Sequence, residues 1–188
     1  MRIPRLPALP VTGCLRYTFS RGCGASLGSI VEVTAEVLCP FVIDPAGLAA
    51  APAEAASREH AARHARKVAV GDMRRVDVVV CGSVAVNRRG SRLGKGAGYS
   101  DIAVALLQEA GRIGPSTVIV TTVHPFQVIG DAMPETEHDF SVDLIVTPDE
   151  VIECEPPRRP TGLYWNNLTA AKIAAIPALA ARAAARRA

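Results

Sequence analysis

The chain has 188 residues, 49% hydrophobic and 21% charged, which favours one domain with a substantial core and excludes a disordered tail or a collagen-like repeat. The net charge of +3 is small, and aromatic residues are absent between Val42 and Gly98, so nucleic acid is not expected as a partner. Five cysteines without a CxxC pair fit neither a disulfide framework nor a zinc site, and no apolar run approaches the ~20 residues of a membrane span. We therefore expect a cytoplasmic protein with reduced thiols.

The N-terminal third of the chain contains few clear elements. Residues 1–40 mix Pro, Gly, Cys and Arg, and only Ser29 to Leu38 alternates between polar and apolar residues like a strand. Asp44-Pro45 marks a turn, and the Ala-rich stretch from Pro52 to Lys67 predicts a helix.

The middle of the chain predicts a strand, a glycine-rich loop and a helix. The β-branched run from Val76 to Val80 is typical of a strand buried on both faces, and residues 83–87 extend it or form a second short strand. Residues 88–98 are rich in Gly and Arg and predict a loop. Apolar residues recur at helical spacing from Tyr99 to Arg112, and a glycine at 111 or 114 can end this helix.

Strands and polar loops alternate in the C-terminal part. Residues 117–123 and 142–147 predict two strands, 151–154 a short hairpin partner, and 156–160 a stiff loop, while Thr169 can cap a terminal Ala-rich helix. The alternation predicts a single α/β domain with a mostly parallel central sheet flanked by helices. Polar loops follow the carboxyl ends of the strands, where open α/β sheets place their ligands.

The stretch from Gly90 to Asp101, GSRLGKGAGYSD, is the strongest candidate site. It is not a Walker A loop, because only three residues separate Gly90 from Gly94-Lys95 and a glycine replaces the hydroxyl residue. It is not the GxGxxG dinucleotide motif either, since Tyr99 stands where a glycine is needed.

The physical chemistry of this stretch nevertheless indicates an anion site. Alternating glycines let successive backbone N–H groups curl around a phosphate, and the following helix start carries partial positive charge. Arg92 and Lys95 would add full charges, and Asp101 is placed to hold a magnesium ion shared with phosphate oxygens. A flexible basic loop before an ordinary acidic helical turn is the alternative that these residues leave open.

Other polar residues have a structural as well as a functional interpretation. His60 and His64 have a metal-binding spacing, but the arginines around them favour a solvated helix face. His124 and His138 either contact substrate or order their loops, and Cys81 is expected in the core. The terminal helix carries arginines that are expected to complement its dipole rather than bind nucleic acid: Arg182, Arg186 and Arg187.

The segment from Arg92 to Asp101, RLGKGAGYSD, closely resembles the RLGxGxGYYD motif of the 5-formyltetrahydrofolate cyclo-ligase (methenyltetrahydrofolate synthetase) family. The segments VDVVV and GSVAV before it are similar to that family's approach to the motif. Later residues resemble the family in the same order, namely Gln127, Pro134, His138-Asp139 and Val142-Asp143. Tyr164-Trp165 and Ile176-Pro177 resemble a divergent branch, the synthetase-domain-containing proteins, so that the resemblance covers roughly residues 41–180.

This resemblance implies a ligase of one-carbon folate metabolism that uses ATP and Mg²⁺. In that family the formyl oxygen of 5-formyltetrahydrofolate is phosphorylated, the neighbouring folate nitrogen attacks, and phosphate leaves to give 5,10-methenyltetrahydrofolate. By position, the ATP phosphates would be bound by Arg92, Leu93, Gly94, Lys95, Gly96, Ala97, Gly98 and Tyr99. Asp101 and Asp139 would hold magnesium, a reduced folate would be the partner, and no catalytic residue is assigned.

Two departures from the family pattern define the alternatives. Ser100 stands at the second tyrosine of the motif, and the family's N-terminal helix, whose Lys and Arg reach the nucleotide, is not found in residues 1–40. We therefore divide the chain into an atypical segment, 1–40, and a cyclo-ligase-like α/β domain, 41–188. We therefore expect one of two alternatives. Either the chain is a truncated or re-initiated gene product, or it is a non-catalytic relative that binds a nucleotide or a folate. An RNA-binding module that uses the basic loop is a third, weaker interpretation.

Overall fold

The computed structural model describes residues 17–22, 25–29, 41–42, 66–155 and 158–187. Its strands are β1 (Tyr17–Gly22), β2 (Ala25–Ser29), β3 (Phe41–Val42), β4 (Arg66–Lys67), β5 (Val78–Cys81), β6 (Ala85–Asn87), β7 (Arg92–Leu93), β8 (Val118–Thr122), β9 (Val128–Ile129), β10 (Leu144–Val146) and β11 (Val151–Glu153). Its helices are α1 (Tyr99–Glu109), α2 (Ala170–Ala175) and α3 (Pro177–Ala185), with 3-10 turns at Val70–Asp72, Pro125–Gln127 and Trp165–Asn167. No helix within these ranges is long and apolar enough to cross a bilayer.

Six strands form the main sheet, in the order β11-β10-β8-β5-β1-β2. The three strands at its centre, β5, β8 and β10, are parallel, with Val80 opposite Val120 and Val120 opposite Leu144. At the two edges, β11 and the β1–β2 hairpin add antiparallel strands. The predicted fold class, an α/β domain whose central sheet is flanked by helices, is confirmed. The centre of the sheet is parallel, and the sheet as a whole is mixed because its edge strands are antiparallel.

The central strands are buried because they are runs of β-branched residues. Val79, Ile119 and Ile145, one from each central strand, have no exposed surface. Burying a side chain of this size stabilises the fold by about 1.5–3 kcal/mol. The strands predicted over 76–80, 117–123, 142–147 and 151–154 are confirmed with shifted ends, and residues 85–87 form the separate short strand β6.

A three-stranded sheet, β7-β6-β9, holds the start of the glycine-rich segment. The Asn87 side-chain oxygen closes the β6–β7 turn by accepting hydrogen bonds from the N–H groups of Arg89 and Ser91, both at 3.1 Å. The prediction of a loop throughout 88–98 is therefore wrong at Arg92–Leu93, where β7 pairs with β6. This pairing holds Arg92 beside the core.

Helix α1 follows the glycine loop and is buried along most of its length. All residues from Ile102 to Leu107 are buried, as expected for a helix that is apolar on nearly every side. The helix ends at Glu109, three residues before the predicted end, and Gly111 follows it in the left-handed conformation with a φ of 64°.

The C-terminal segment packs against α1 and contributes to the core. Thr169 caps α2 as predicted, since its side chain accepts a hydrogen bond of 3.2 Å from the Lys172 N–H. The single terminal helix of the sequence prediction is divided in two, because Pro177 starts a second helix. Ile176 and Leu179 have no exposed surface and anchor both helices in the core.

Several predictions for the N-terminal part fall outside the described residues. Ser29 ends β2, and residues 30–38 of the predicted strand are outside the description, as is the predicted helix up to residue 65, with His60 and His64. Its last two residues, Arg66–Lys67, are not helical but form β4, which pairs with β3. The β1–β2 hairpin was not predicted, and the domain division at residue 40 stays a prediction.

Candidate functional site

A cleft of about 180 Å³ opens at the glycine loop. It is lined by every residue from Arg92 to Asp101, together with Pro134 and Asp139. The structure thus brings together all the residues that the sequence analysis proposed for phosphate and magnesium, although Asp139 belongs to a separate segment. Pockets for drug-sized ligands typically measure about 300–1,000 Å³, so this cleft is smaller than a site for a whole nucleotide and has room for a phosphate group.

The glycine loop, residues 94–98, presents backbone N–H groups that have no backbone partner among the described residues. Gly96 and Gly98 have φ values of 82° and 68°, in the left-handed region that favours glycine. Within the described part of the chain, none of the N–H groups of residues 94–98 donates a hydrogen bond to another backbone group. The first turn of α1 follows directly, and its N–H groups also lack helical partners. Unpaired donors at a helix start suit an anion.

Arg92 has a buried position beneath this loop. Its side chain is only 3% exposed, and its guanidinium lies 4.6 Å from the centre of the Phe140 ring. It donates hydrogen bonds of 3.3 Å to the Asp101 carboxylate and to the Gly82 carbonyl oxygen. Arg92 therefore lines the cleft but is already engaged with Asp101, so its charge acts first on that carboxylate.

Asp101 lies in the first turn of α1 and has a shifted pKa. Burial raises the pKa of this carboxyl above its ordinary value, and the guanidinium of Arg92 opposes that rise. The charge of Asp139 raises the pKa further, and His138 lowers it. This influence of Asp139 indicates that the two carboxylates are close enough for their charges to interact.

Asp139 belongs to a turn that orients its side chain. One carboxylate oxygen accepts hydrogen bonds from Thr136, from its N–H at 2.6 Å and from its hydroxyl at 2.9 Å. The described residues contain no cluster of three or more His, Cys, Asp or Glu side chains suited to a metal. Two carboxylates beside an anion cradle nevertheless fit Mg²⁺, which proteins usually hold through one or two carboxylates together with substrate phosphates and water.

The remaining residues of the motif differ in their exposure. Lys95, Gly96 and Ala97 are exposed, and Tyr99 is half-buried against the core. Ser100, at the position of the family's second tyrosine, is only 2% exposed, and within the described residues its hydroxyl has no hydrogen-bond partner. The serine thus places no ring and no accessible hydroxyl in the cleft.

Lys172 is a residue that the sequence analysis missed. Its ammonium group donates a hydrogen bond of 2.5 Å to the carbonyl oxygen of Ala97, inside the glycine loop. It also lies 5.5 Å from the centre of the Tyr99 ring. A lone lysine in an Ala-rich helix gives no local signal of such a contact, because the contact depends on how α2 packs against the loop.

The histidines, the core cysteine and the terminal arginines have structural partners. The Nδ1 atom of His124 accepts a hydrogen bond of 3.3 Å from the Phe126 N–H, and Nδ1 of His138 lies 3.4 Å from the side-chain nitrogen of Asn167. Cys81 is buried in the core, as expected. The terminal arginines also contact specific partners besides the helix end. Arg182 forms an ion pair with Glu109, and the guanidinium of Arg186 lies over the Trp165 ring. Arg187 donates a hydrogen bond to the Ala183 carbonyl oxygen.

Comparison with known proteins connects this site to one family. Residues 43–148 match the model of the 5-formyltetrahydrofolate cyclo-ligase family. Similar curated proteins include the methenyltetrahydrofolate synthase domain-containing proteins of Mus musculus, 43% identical over 108 residues, and of Homo sapiens, 42% identical over 109 residues. The protein of that name from Danio rerio is 40% identical over 117 residues.

These alignments cover much less of the relatives than of this chain. The mouse and human alignments include 55% of this chain and 28% of each relative, and the zebrafish alignment includes 60% and 30%. The chain therefore spans less than a third of the length of these relatives.

Proposed function

This chain belongs to the 5-formyltetrahydrofolate cyclo-ligase family, and we propose that it is an enzyme that converts 5-formyltetrahydrofolate to 5,10-methenyltetrahydrofolate with ATP and Mg²⁺. Its role would be in one-carbon folate metabolism, with a reduced folate as its partner and the cytoplasm as its location. One observation carries the proposal. The cleft gathers the RLGKGAGYSD segment and the distant Asp139 around a single space of phosphate size.

The chain's own groups would bind and orient the phosphates. The unpaired N–H groups of residues 94–98 would donate to phosphate oxygens, and the exposed Lys95 would add a positive charge. Asp101 and Asp139 would hold Mg²⁺, and ATP would supply the phosphoryl group that activates the formyl oxygen. Positioning and charge neutralisation account for most of the catalysis in phosphoryl transfer, and these residues would provide both.

The proposal is tested by following 5,10-methenyltetrahydrofolate formation by its absorbance, with and without ATP and Mg²⁺. We expect product only when both are present. Asp139→Asn is expected to lower the rate by about 10²–10³-fold, since one preorganised electrostatic contact is lost. Asp149→Asn, which changes an exposed carboxylate outside the cleft, is the matched control and should retain the wild-type rate. A wild-type chain that forms no product when 5-formyltetrahydrofolate, ATP and Mg²⁺ are all present would contradict the proposal.

A second candidate function is nucleotide or folate binding without turnover. Ser100 favours it, because a buried side chain replaces the second tyrosine of the family motif. Calorimetry separates the two functions when it is combined with the product assay. Saturable ATP binding with no product would support the binding protein, and ATP-dependent product would support the ligase.

A further inference from the structure

One side chain of the C-terminal helices reaches the glycine loop. Lys172, on α2, donates a hydrogen bond from its ammonium group to the Ala97 carbonyl oxygen and lies 5.5 Å from the Tyr99 ring centre. A Cβ atom placed on Gly98 would be 3.4 Å from the same ammonium nitrogen. Lys172 thus contacts Ala97 in the loop and Tyr99 in the first helical turn, and it lies close to Gly98 between them.

Lys172 itself is not among the residues that line the cleft. The residues that line the cleft include Ala97, Gly98 and Tyr99 but not Lys172. We therefore do not assign the lysine as a direct phosphate ligand, and its effect on the site would pass through the loop residues that it contacts.

The geometry of the peptide bond gives this contact a consequence. The Ala97 carbonyl and the Gly98 N–H belong to one peptide unit, and in a trans peptide they point in opposite directions. The described residues contain no cis peptide bond. By binding the Ala97 oxygen on one side of this peptide unit, Lys172 fixes the Gly98 N–H on the opposite side. The Lys172 ammonium group also supplies a hydrogen-bond donor to the Ala97 carbonyl oxygen, which would otherwise accept a hydrogen bond from water.

The helix that carries Lys172 is well anchored. Thr169 caps α2 at its first turn, and the fully buried Ile176 follows its end. The lysine therefore extends from a helix whose start and end are both held in place. An anchor on a rigid element suits a residue that preorganises a binding site.

We propose that Lys172 is a positioning residue that fixes the 97–98 peptide unit with its N–H directed at the bound phosphate and orients the Tyr99 ring. The role in ATP binding rests on the function proposed above, whereas the ordering of the loop does not. Lys172 acts through the loop backbone, so its removal should weaken phosphate binding and loosen the loop without altering the rest of the fold.

Nitrogen-15 relaxation of the ligand-free chain tests the ordering of the loop. In the wild type, the Gly96 and Gly98 amides should have order parameters near the ~0.85 of rigid backbone, and Lys172→Met should lower them towards ~0.6. Lys172→Arg keeps the charge and should largely restore them. Arg182→Met is the matched control. It removes the ion pair between Arg182 of the same C-terminal segment and Glu109, which lies at the opposite end of α1 from the loop. Unchanged order parameters in Lys172→Met, or an equal loss in Arg182→Met, would overturn the proposal.

Calorimetry with Mg-ATP and with inorganic tripolyphosphate tests the effect on binding. Lys172→Met should lower the affinity for both ligands by the same factor, about tenfold, because the substitution affects the contacts with the phosphates and not those with the base or the ribose. Arg182→Met should bind both like the wild type. Wild-type affinity in Lys172→Met would overturn the role in binding. If the wild type binds neither ligand, the proposed function fails, and the relaxation experiment still decides whether Lys172 orders the loop.

Discussion

Arg92 and Asp101 form an ion pair in the wall of the cleft, and this pair would set the charge that Asp101 offers to the proposed metal. Arg92 is 3% exposed and lies 3.3 Å from the Asp101 carboxylate. Burial of Asp101 outweighs the effect of the guanidinium, so the pKa of the carboxyl is raised. A metal needs the ionised carboxylate, and Arg92 is the strongest influence that keeps Asp101 ionised.

Arg92→Met should therefore raise the pKa of Asp101 further. Mg²⁺-dependent ATP binding should be lost as the pH falls. We expect the pH at which half of this binding is lost to be higher in Arg92→Met than in the wild type. The measurement is calorimetry across a pH series. Arg88→Met, which removes the exposed pair between Arg88 and Glu150, is the control and should leave the midpoint unchanged. Equal midpoints in the two variants would contradict the assigned role of Arg92.

The raised pKa of Asp101 also links stability to pH. The native chain keeps the proton at pH values where the unfolded chain has lost it, so the contribution of this group to stability is fully present below its ordinary pKa. That contribution is lost as the pH rises through the raised native pKa, and a bound cation can then take the place of the proton. We expect Mg²⁺ to raise the melting temperature more at neutral pH than at mildly acidic pH. An equal effect at both pH values would count against a metal at Asp101.

A substitution at Gly96 tests whether phosphate binding depends on the conformation of the glycine loop. Its φ of 82° is unfavourable for a β-branched residue, while a Cβ there would meet no atom within 4 Å. Gly96→Val should therefore distort the loop, abolish detectable ATP binding and leave the fold intact. Gly111→Val introduces the same kind of strain at a φ of 64°, also without a close atom, but away from the cleft. Unchanged ATP affinity in Gly96→Val would show that the loop does not bind the phosphates.

At the scale of elements, the β6–β7 hairpin connects the glycine loop to the main sheet. Gly90 has a φ of 90°, and a Cβ on it would lie 2.3 Å from the Val142 carbonyl oxygen. The Gly90 carbonyl in turn accepts a hydrogen bond of 2.9 Å from the Val142 N–H. The hairpin is thus held directly against the segment that leads into β10.

Gly90→Ala should consequently lower the free energy of unfolding by about 2–4 kcal/mol, from backbone strain together with the clash at Val142. The measurement is urea denaturation. Gly71→Ala is the control, because a Cβ at Gly71 meets no atom within 4 Å and its φ is not positive. We expect the control to change stability by less than about 0.5 kcal/mol. Similar stability losses in both variants would contradict the close packing at Gly90.

The sequence predicted those elements whose signal is local. Val78–Cys81 and Val118–Thr122 are short runs rich in β-branched residues, which favour a buried strand, and α1 combines apolar periodicity with a glycine just beyond its end. The motif from Arg92 to Asp101 was recognisable for the same reason, since its residues are contiguous.

Other features depend on pairing between distant segments and leave no local pattern. The two residues of β7 form a strand only because β6 lies beside them, and the β1–β2 hairpin extends the sheet through its pairing with β5. Burial of Arg92 follows from its contact with Phe140, and the contact of Lys172 with the loop follows from the packing of the C-terminal helices. Tertiary structure decides each of these.

At the scale of the whole molecule, α1 is held at both ends by the C-terminal segment. Lys172 contacts the glycine loop before the helix, while Glu109 at its end pairs with Arg182 and accepts a hydrogen bond of 2.8 Å from the Leu163 N–H. Helix α1 and the central strands contribute buried side chains to the same hydrophobic core. The cleft is therefore built from two separate parts of the chain, the motif and the segment with Pro134 and Asp139, and the C-terminal segment contacts the glycine loop and the far end of α1.

The central claim is that this cleft is a single site for Mg²⁺ and the phosphates of ATP. Titration of ATP into the whole chain by calorimetry, with and without MgCl₂, tests it most directly. We expect one saturable site whose affinity falls at least about tenfold without Mg²⁺, and we expect Asp139→Asn to remove most of the difference while Asp149→Asn retains it. ATP binding that is independent of Mg²⁺ and unaffected by Asp139→Asn, or no binding at all, would contradict the account.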